Sequence, residues 1–511
     1  MNLRVYNRPV LFGGKPLSPV AIVLAGGANR RFWPMTQKSL LSFGDESLLD
    51  KHVKTLGAAG FVDIIVVGNP ENADRLSAIA HTFIDVGVSV VIQPSPDGMG
   101  DAILQCAPLI RERFPGQPVL VSQVHDLVDP AIFGRLAKLL GEDPADGFVV
   151  GVRQNSYFPG GYLVLDGDRA VDVIEKPPPG TEPSNLVKIV ADVIRNSNAL
   201  FDALHAVDAN PADQYENALG RLMAAGTFRA VDYDGPWVPI KFPWHVLSAV
   251  RHLLDQLPAL MQARYAAGQA DETGIVLGSN VVIEPGAFVS GPVVLEDNVR
   301  VLAGAVIRGP SMIGARTTIR SHVVVRNSMI GDDCAINPGA AIERSILGSG
   351  TVIGNVAVVR ESILGRRCVA GYATEIARSY IGSGCWFHTN YIGDSVIGDN
   401  VSFGSGTTTA NLRLDEKNIR VSVDGNRTDT GTNKIGAFIG SHVRVGINGS
   451  LMPGIRIGSN SVIGPAVLLN QDIANDQFVQ AKQELDVRPN PVQIESMSRA
   501  ELFGALRKTA S

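Results

Sequence analysis

The chain has 511 residues, with 45 Lys plus Arg against 50 Asp plus Glu and a formal net charge of −5. Hydrophobic residues make up 45% and charged residues 19%, which is close to the globular average and excludes a chain that is disordered throughout. This charge balance gives no electrostatic footprint for a nucleic-acid backbone, so we expect no nucleic-acid partner.

The N-terminal residues and the cysteines predict the compartment. Arg4, Arg8 and Lys15 stand where a signal peptide needs an apolar core, and no window of about 18 residues is uninterruptedly apolar. We therefore expect a cytoplasmic protein without a membrane partner. The cysteines lie far apart and lack a paired metal spacing, which favours a reducing compartment without disulfides; they are Cys106, Cys334, Cys368 and Cys385.

From Pro19 to about Trp244, short apolar runs alternate with longer segments of helical periodicity. This alternation predicts an α/β domain with a mostly parallel sheet over residues 19–244, after an N-terminal extension of residues 1–18. The predicted strands are 20–24, 62–67, 88–92, 119–121 and 147–152, and the predicted crossover helices are 49–59, 101–113 and 130–140. A connecting helix interrupted by Pro258 is expected within residues 245–273.

The first predicted strand ends in a glycine pair that is followed by basic residues. Gly26 and Gly27 come directly after Leu24 and Ala25, and Lys38 stands seven positions after Arg31. A glycine pair after a strand lets backbone N–H groups close on a phosphate, and two spaced cations can clamp a polyphosphate. The pattern therefore predicts a phosphate-binding loop.

The complete string from Leu24 to Lys38 resembles the signature loop of sugar-1-phosphate nucleotidylyltransferases, which implies a Rossmann-like α/β domain. The resemblance places Arg31 and Lys38 at catalytic, phosphate-binding positions. It also implies that a glutamine reads the edge of a pyrimidine, for which an amide offers a donor and an acceptor. The implied nucleotide contacts are Leu24, Ala25, Gly26, Gly27, Gln93 and Gly98.

Three residues further along resemble that family's contacts to the sugar phosphate, namely Gly161, Glu175 and Lys176. Each could equally be ordinary turn chemistry at the surface. With the loop, they imply a nucleoside triphosphate, UTP or dTTP, and a sugar 1-phosphate as substrates.

The chain departs from the family at the positions that bind its metal. The first metal aspartate aligns with His125, with Asp126 one place later, and the second aligns with Pro239. Mg²⁺ would offset charge on the transferring and leaving groups of such a reaction. Asp126 is therefore the candidate metal residue. It either replaces the displaced aspartate or only caps the end of a strand.

After Gly274, aliphatic residues recur every six positions from Leu277 to Val325, and the register resumes at Ile439. Each coil would hold 17 or 18 residues and three short strands, with glycine at the corners. The period predicts a solenoid of triangular section over residues 274–483, with a loop insertion at 411–436 and a C-terminal tail at 484–511.

The hexad repeat resembles the left-handed parallel β-helix of hexapeptide-repeat acyltransferases. That family is typically trimeric and binds acyl-CoA between neighbouring prisms. The resemblance therefore implies a homotrimer that uses acetyl-CoA.

The stretch from His388 to Asn411 closely resembles the catalytic segment of the bifunctional glucosamine-1-phosphate acetyltransferase and N-acetylglucosamine-1-phosphate uridylyltransferase, and the order of the two domains is the same. By that resemblance His388 is the general base for the attack of a sugar amine on acetyl-CoA, and Tyr391 and Asn411 position the substrate. An imidazole fits this role because its ordinary pKa lies near neutrality. The family's upstream lysine aligns with Ala377, so Arg378 is the candidate sugar-phosphate contact.

The basic insertion after Asn411 either caps this site or is a solvated charged loop. Three functional hypotheses follow. The first is a bifunctional transferase that acetylates an amino-sugar 1-phosphate and joins a sugar phosphate to a nucleotide. The second is an acetyltransferase whose first domain only senses nucleotide sugars, which would account for His125 and Pro239. The third is a non-catalytic regulatory assembly subunit.

Overall fold

The computed structural model describes residues 19–27, 29–207, 213–267, 270 and 274–491, together with the backbone of 11–12 and 15–16. Most of the predicted N-terminal extension, Ala28 of the predicted phosphate loop and the tail beyond residue 491 lie outside the described residues.

The first half forms a mixed, mostly parallel sheet of ten strands, in the order β13-β11-β12-β15-β10-β14-β8-β3-β6-β7. Three further pairs, β1–β2, β4–β5 and β9–β16, lie beside it. The strands are β1 Leu11–Phe12, β2 Lys15–Pro16, β3 Val20–Leu24, β4 Ser42–Phe43, β5 Glu46–Ser47, β6 Asp63–Gly68, β7 Gly87–Ile92, β8 Val119–Gln123, β9 Asp126–Val128, β10 Gly147–Arg153, β11 Gly161–Asp166, β12 Arg169–Glu175, β13 Leu186–Lys188, β14 Ala191–Ile194, β15 Phe228–Tyr233 and β16 Trp237–Pro239.

Helices cover both faces of this sheet, as expected when buried strands alternate with amphipathic segments. They are α1 Leu48–Ala58, α2 Ala73–Ala80, α3 Gly98–Leu104, α4 Ala107–Arg113, α5 Ala131–Glu142, α6 Ser197–His205, α7 Gln214–Ala225 and α8 His245–Ala267, with short 3₁₀ helices at Arg30–Phe32 and Lys38–Leu40. The sequence predicted one helix over residues 101–113, where two occur. Pro108 in the first turn of α4 suits the start of a new helix, because that position needs no N–H donor.

The connecting helix α8 is continuous, so the predicted interruption at Pro258 is wrong. The residues on both sides of the proline are buried in the same core, Leu257 at 2% and Met261 at 4% exposure. This packing outweighs the hydrogen bond that a proline removes from a helix.

The second half is a β-helix whose parallel strands stack into three sheets, PB1, PB2 and PB3. PB1 consists of Ile275–Leu277, Val293–Leu295, Ser311–Ile313, Met329–Ile330, Ile346–Leu347, Ile363–Leu364, Tyr380–Ile381, Val396–Ile397, Phe438–Ile439 and Arg456–Ile457. PB2 consists of Val282–Ile283, Arg300–Val301, Thr318–Ile319, Ala335–Ile336, Val352–Ile353, Val369–Ala370, Trp386–Phe387, Ser402–Phe403, Arg444–Val445, Val462–Ile463 and Phe478–Val479. PB3 consists of Phe288–Ser290, Val306–Arg308, Val324–Arg326, Ala341–Glu343, Val358–Arg360, Glu375–Ala377, Tyr391–Gly393, Thr408–Thr409, Ser450–Leu451 and Leu468–Leu469.

The fold class predicted from the sequence, an α/β domain followed by a left-handed parallel β-helix, is confirmed. One correction concerns the first coil, where Leu277 is 50% and Ile283 is 38% exposed, whereas from Leu295 onwards the hexad residues of the central coils are buried. The end coil has a neighbour on one side only, so its aliphatic residues cannot be fully covered.

The corners of the β-helix explain its small residues. A Cβ at Gly348 would lie 2.6 Å from the backbone carbon of Gly365 in the next coil, which excludes any side chain there. At another corner, stacked serines form a ladder in which the Ser345 N–H donates to Ser328 Oγ at 3.1 Å and the Ser362 N–H donates to Ser345 Oγ at 3.2 Å. The ladder satisfies buried polar groups that would otherwise destabilise the core.

The outer face of PB1 packs against the α/β half. Tyr380 is buried there, and its hydroxyl accepts a hydrogen bond from the Ser42 N–H at 3.1 Å. Asp45 accepts from the Ser349 N–H at 2.8 Å and pairs with Arg366 at 3.0 Å. The two halves therefore share one hydrophobic core and are not joined by a linker alone.

The insertion contains a hairpin of Arg420–Val423 and Asn426–Asp429. Ile419 and Val421 are each 1% exposed and pack into the core that the two halves share. The alternative of a solvated charged loop is therefore wrong for this face of the insertion, because buried aliphatic side chains anchor it. Within the described part of the chain, no helix combines the length and the apolarity needed to cross a bilayer.

Candidate functional site

The predicted phosphate-binding loop leaves β3 and turns sharply at the glycine pair. A Cβ at Gly26 would lie 2.7 Å from the carbonyl oxygen of Gly68, so this position admits only glycine. Asn69 fixes the loop by donating to the carbonyl of Gly26 at 3.0 Å, and Asn29 adopts the left-handed conformation expected of it, with φ 51°. The described residues on both sides of Ala28 are therefore held in place.

Arg31 and Lys38 lie on the two 3₁₀ helices that follow this loop. Burial and the nearby charge of Arg31 lower the pKa of Lys38 to about 8. The Arg31 contribution to this shift shows that the two cations lie close to each other, an arrangement that favours an anion between them. The structure thus brings the two predicted phosphate contacts together.

Gln93 follows β7 and is 4% exposed. Its Nε2 donates to the carbonyl of Gly98 at 3.0 Å and to Asp101 Oδ2 at 2.8 Å. The donor side of the amide is occupied, and Oε1 is the atom left to accept a hydrogen bond from a base.

The predicted sugar-phosphate residues meet where β11 pairs with β12, with Gly161 opposite Glu175. Glu175 forms an ion pair with Lys176 at 2.6 Å. A buried polar cluster lies next to them, in which Lys188 pairs with Asp192 at 2.6 Å. The motif alone did not reveal this cluster, because Lys188 and Asp192 lie in an otherwise apolar run.

Asp126 begins β9 and faces Pro239 of β16 across a two-stranded ladder. The two positions predicted from the family's metal site are thus adjacent, but only one of them has a carboxylate. Burial raises the pKa of Asp126, and its Oδ2 accepts a hydrogen bond from Gln123 at 2.7 Å.

The donors at this place do not fit a divalent ion. Mg²⁺ needs several oxygen ligands, and proline supplies no side-chain donor. Burial, together with the charges of Lys38 and Lys241, lowers the pKa of the neighbouring His125 to about 3. No cluster of three or more acidic, His or Cys side chains that could hold a metal occurs among the described residues. The prediction that Asp126 alone holds the metal therefore lacks support from the donor set.

His388 occupies the corner between PB2 and PB3 and is exposed. Asn390, which is 5% exposed, fixes this corner: its Oδ1 accepts from the His388 N–H at 2.7 Å and its Nδ2 donates to the carbonyl of Gly404 at 2.9 Å. Asn390 was not among the residues predicted from the sequence. Its signal is a column of polar residues in successive coils, since Thr374 precedes it and Thr407 follows it at the same corner.

Tyr391, Asn411 and Arg378 meet at the next corner, around the buried Asp394. Asp394 accepts two hydrogen bonds from Arg378, at 2.7 and 2.8 Å, and one from Asn411 Nδ2 at 2.5 Å. Asn411 also donates to the Tyr391 hydroxyl at 3.2 Å. The structure brings these three predicted residues together, but Asp394, which the sequence analysis did not single out, already neutralises Arg378.

A cavity of about 490 Å³ lies beside this cluster, between α8 and the insertion. Arg378 and Asp394 form one wall, and Arg251 of α8 and Lys434 of the insertion contribute further positive charge. The cavity has room for a phosphorylated sugar next to Tyr391.

Known protein families match residues in both halves of the chain. Residues 20–219 match the nucleotidyl transferase family, and residues 289–428 match the GMPPB C-terminal domain. The bifunctional sugar-1-phosphate nucleotidylyltransferase/acetyltransferase of Sulfurisphaera tokodaii is 26% identical over 90% of this chain and 99% of its own length. The bifunctional protein GlmU of Methanococcus maripaludis is 27% identical over 91% of this chain and 98% of its own.

A solved structure of a UDP-glucose pyrophosphorylase complexed with UDP-glucose shares 20% identity and a TM-score of 0.39 with this chain, covering 45% of this chain and 96% of its own. Over 90% of its length the chain is similar to the bifunctional sugar-1-phosphate nucleotidylyltransferase/acetyltransferase of Sulfurisphaera tokodaii, and residues 20–219 match the nucleotidyl transferase family.

Proposed function

We propose that the protein acetylates an amino-sugar 1-phosphate with acetyl-CoA and transfers a nucleotidyl group from UTP or dTTP to a sugar 1-phosphate. The observation that carries this proposal is the presence, in one chain, of a fixed phosphate loop with two cations and of a second site built around His388. Full-length relatives of the same type favour this function over a sensing domain or an assembly subunit.

In the acetyl transfer, the sugar amine attacks the thioester carbonyl carbon and the C–S bond of acetyl-CoA breaks. His388 takes the proton that the amine loses and gives it to the sulfur, which leaves as the CoA thiol. His388 is suited to this role because Asn390 fixes its backbone while its ring stays open to solvent. Tyr391 and Asn411 would orient the acceptor, and Arg378 would lie near its phosphate.

In the nucleotidyl transfer, Gly26, Gly27 and the surrounding loop residues Leu24 and Ala25 would enclose the triphosphate. Arg31 and Lys38 would hold its charge, and Gln93 would accept from the base beside Gly98. Gly161, Glu175 and Lys176 would contact the sugar phosphate, consistent with their meeting at the β11–β12 pair.

We further propose a homotrimer in which neighbouring prisms complete the acyl-CoA cleft. PB1 is covered by the α/β half, whereas the outer face of PB2 exposes Trp386 at 56% and Phe478 at 71%. Trp386, exposed two residues before His388, suits contact with a second copy. We also propose the division into domains at residues 19–244, 245–273 and 274–483.

The test assays one preparation for both activities. Pyrophosphate release from UTP or dTTP with a sugar 1-phosphate and thiol release from acetyl-CoA with glucosamine 1-phosphate should both occur. Light scattering at micromolar concentration should give the mass of a trimer. Thiol release without pyrophosphate release would limit the function to acetyl transfer, and absence of both would exclude the proposal.

A further inference from the structure

Lys241 lies two residues after Pro239, the position that aligns with the family's second metal aspartate. It follows β16 by two residues, and the intervening Ile240 donates its N–H to the carbonyl of His125 at 2.9 Å. Asp126 is the largest charged influence on Lys241, and Lys241 is among the charges that act on Asp126. A lysine ammonium therefore lies beside the one carboxylate of this ladder.

Lys241 is one of three cations at the nucleotide site that rest on aromatic rings instead of carboxylates. Its Nζ lies 3.9 Å from the ring centroid of Phe158 and donates to the carbonyl of Pro159 at 3.0 Å. Lys38 lies 5.3 Å from the ring centroid of Phe32. Arg31 lies 6.0 Å from that of Phe242.

Within the described ranges, none of Arg31, Lys38 and Lys241 forms a salt bridge, whereas Lys176 pairs with Glu175 and Lys188 with Asp192. Cation–π contacts are weaker than ion pairs with a carboxylate and leave the charge available. The other charges that act on Lys241 are Asp126 and the Glu175–Lys176 pair. The three cations therefore leave a net positive pocket, which repels a divalent cation and attracts a polyphosphate.

We propose that the Lys241 ammonium takes the charge-neutralising place of a protein-bound divalent cation, so that the phosphates of the nucleotide bind between Lys241, Lys38 and Arg31 without metal held by the protein. This inference rests on the proposed nucleotidyl transfer. It concerns how the same site holds its substrate.

The reaction balances without further reactants. An oxygen of the sugar 1-phosphate forms a bond to the α-phosphorus of the nucleoside triphosphate, and the bond from that phosphorus to the bridging oxygen breaks. Pyrophosphate leaves with the electron pair. The ammonium groups donate hydrogen bonds to non-bridging oxygens and neither gain nor lose a proton overall.

The test measures binding, independently of turnover. Titration calorimetry with UTP and with UDP-glucose is done on the full chain in EDTA and again in MgCl₂. We expect the affinity for UDP-glucose in EDTA to stay within about threefold of that in MgCl₂. We expect Lys241→Met to weaken binding in EDTA by about 10-fold or more, the loss typical of one charge-assisted hydrogen bond.

Two matched variants show whether the charge itself matters. Lys241→Arg keeps a cation and should retain binding within a few-fold. Lys138→Met removes an exposed lysine of α5 that pairs only with Glu142 at 3.8 Å, and it should change nothing. In a double variant, Pro239→Asp with Lys241→Gly, two carboxylates would face each other across the ladder, and binding of UTP should become dependent on Mg²⁺.

The outcomes separate this inference from the proposed function. Binding of both probes only in MgCl₂ would overturn the role of Lys241 and leave the function standing. Equal affinities of Lys241→Met and the unmodified protein for the two probes in EDTA would also overturn the role of Lys241 and leave the function standing. Failure to bind either probe under both conditions would instead contradict the proposed nucleotidyl transfer.

Discussion

The basic side chains of the two candidate sites have different kinds of partner. In the α/β half, Arg31, Lys38 and Lys241 face aromatic rings and keep their charge available. In the β-helix, Arg378 is held by Asp394 at 2.7 Å and Arg360 by Glu375 at 2.7 Å. The first arrangement suits a polyphosphate that brings its own negative charge. The second is a prebuilt hydrogen-bond frame that orients side chains whether or not a phosphate is present.

The two sites also differ in what fixes the positions of their side chains. A solenoid repeats its backbone, so a side chain at a corner is positioned by the coils above and below it, as Asn390 is by Thr374 and Thr407. The α/β site instead assembles residues from several strands, and its shape depends on contacts such as that of Asn69 with Gly26. We expect substitutions to act locally in the first site and more widely in the second.

The largest expected effect is that of His388→Ala on acetyl transfer. Loss of a general base typically lowers kcat by about 10²-fold to 10⁴-fold. Because the imidazole is exposed and takes no part in the core, the fold and pyrophosphate release should be unchanged. Thiol release and pyrophosphate release from the same preparation measure both. Unaltered thiol release would remove His388 from the mechanism, and a parallel loss of pyrophosphate release would show that the two sites are not independent.

A second effect distinguishes structure from catalysis at the Arg378–Asp394 pair. Arg378→Met leaves the carboxylate of Asp394 buried without its partner, and we expect it to lower the free energy of unfolding by about 1 to 3 kcal/mol. Adding Asp394→Asn removes that uncompensated charge and should restore at least half of the loss. Urea unfolding of the two single variants and the double variant provides the cycle.

The same variants show whether Arg378 also binds the acceptor. If it contacts the sugar phosphate, the KM for glucosamine 1-phosphate should remain raised in the double variant, although stability has returned. A normal KM there would make Arg378 a positioning residue only, and the cations of the neighbouring cavity, Arg251 and Lys434, would become the candidates for the phosphate.

Much of this architecture follows from local pattern. The strands at 20–24 and 147–152 are apolar runs that could only be buried, and the hexad spacing sets the coils because each inward aliphatic must meet the one in the next coil. The resemblance likewise singled out Tyr391 and Asn411, which the structure joins by a hydrogen bond, and His388, three residues before Tyr391.

What could not be predicted depends on contacts between distant segments. The position of Lys241 beside Asp126 requires β9 and β16 to pair, and nothing in either strand alone specifies that partner. Asp394 reads as an ordinary corner residue until Arg378 is placed beside it. The insertion looks charged and solvated because its buried aliphatic residues, Ile419, Val421, Val423 and Ile435, are few and lie among polar and charged ones.

The smallest expected effect compares the response of the two halves to acid. Burial lowers the pKa of His52 and of His245, each to about 4, and both belong to the α/β half or its junction with α8. The histidines of the β-helix, namely His322, His388 and His442, are exposed. In the unfolded chain an imidazole titrates near 6.5. As the pH is lowered from 6.5 to about 4, these imidazoles bind protons in the unfolded chain but not in the folded α/β half. The free energy of unfolding of this half therefore decreases as the pH is lowered.

Hydrogen exchange read by mass spectrometry at pH 7 and pH 5, corrected for the intrinsic exchange rate, resolves the two halves. We expect protection of β3, β8 and α1 to decrease at pH 5 while that of the central PB1 strands holds. His52→Gln removes one titrating group but keeps a hydrogen-bond partner for Ser122, which lies 2.9 Å from the imidazole, so it should reduce the pH dependence in the α/β half. Equal loss of protection in both halves would show that their shared core makes them unfold as one unit, and an unchanged dependence in His52→Gln would assign the acid response to other groups.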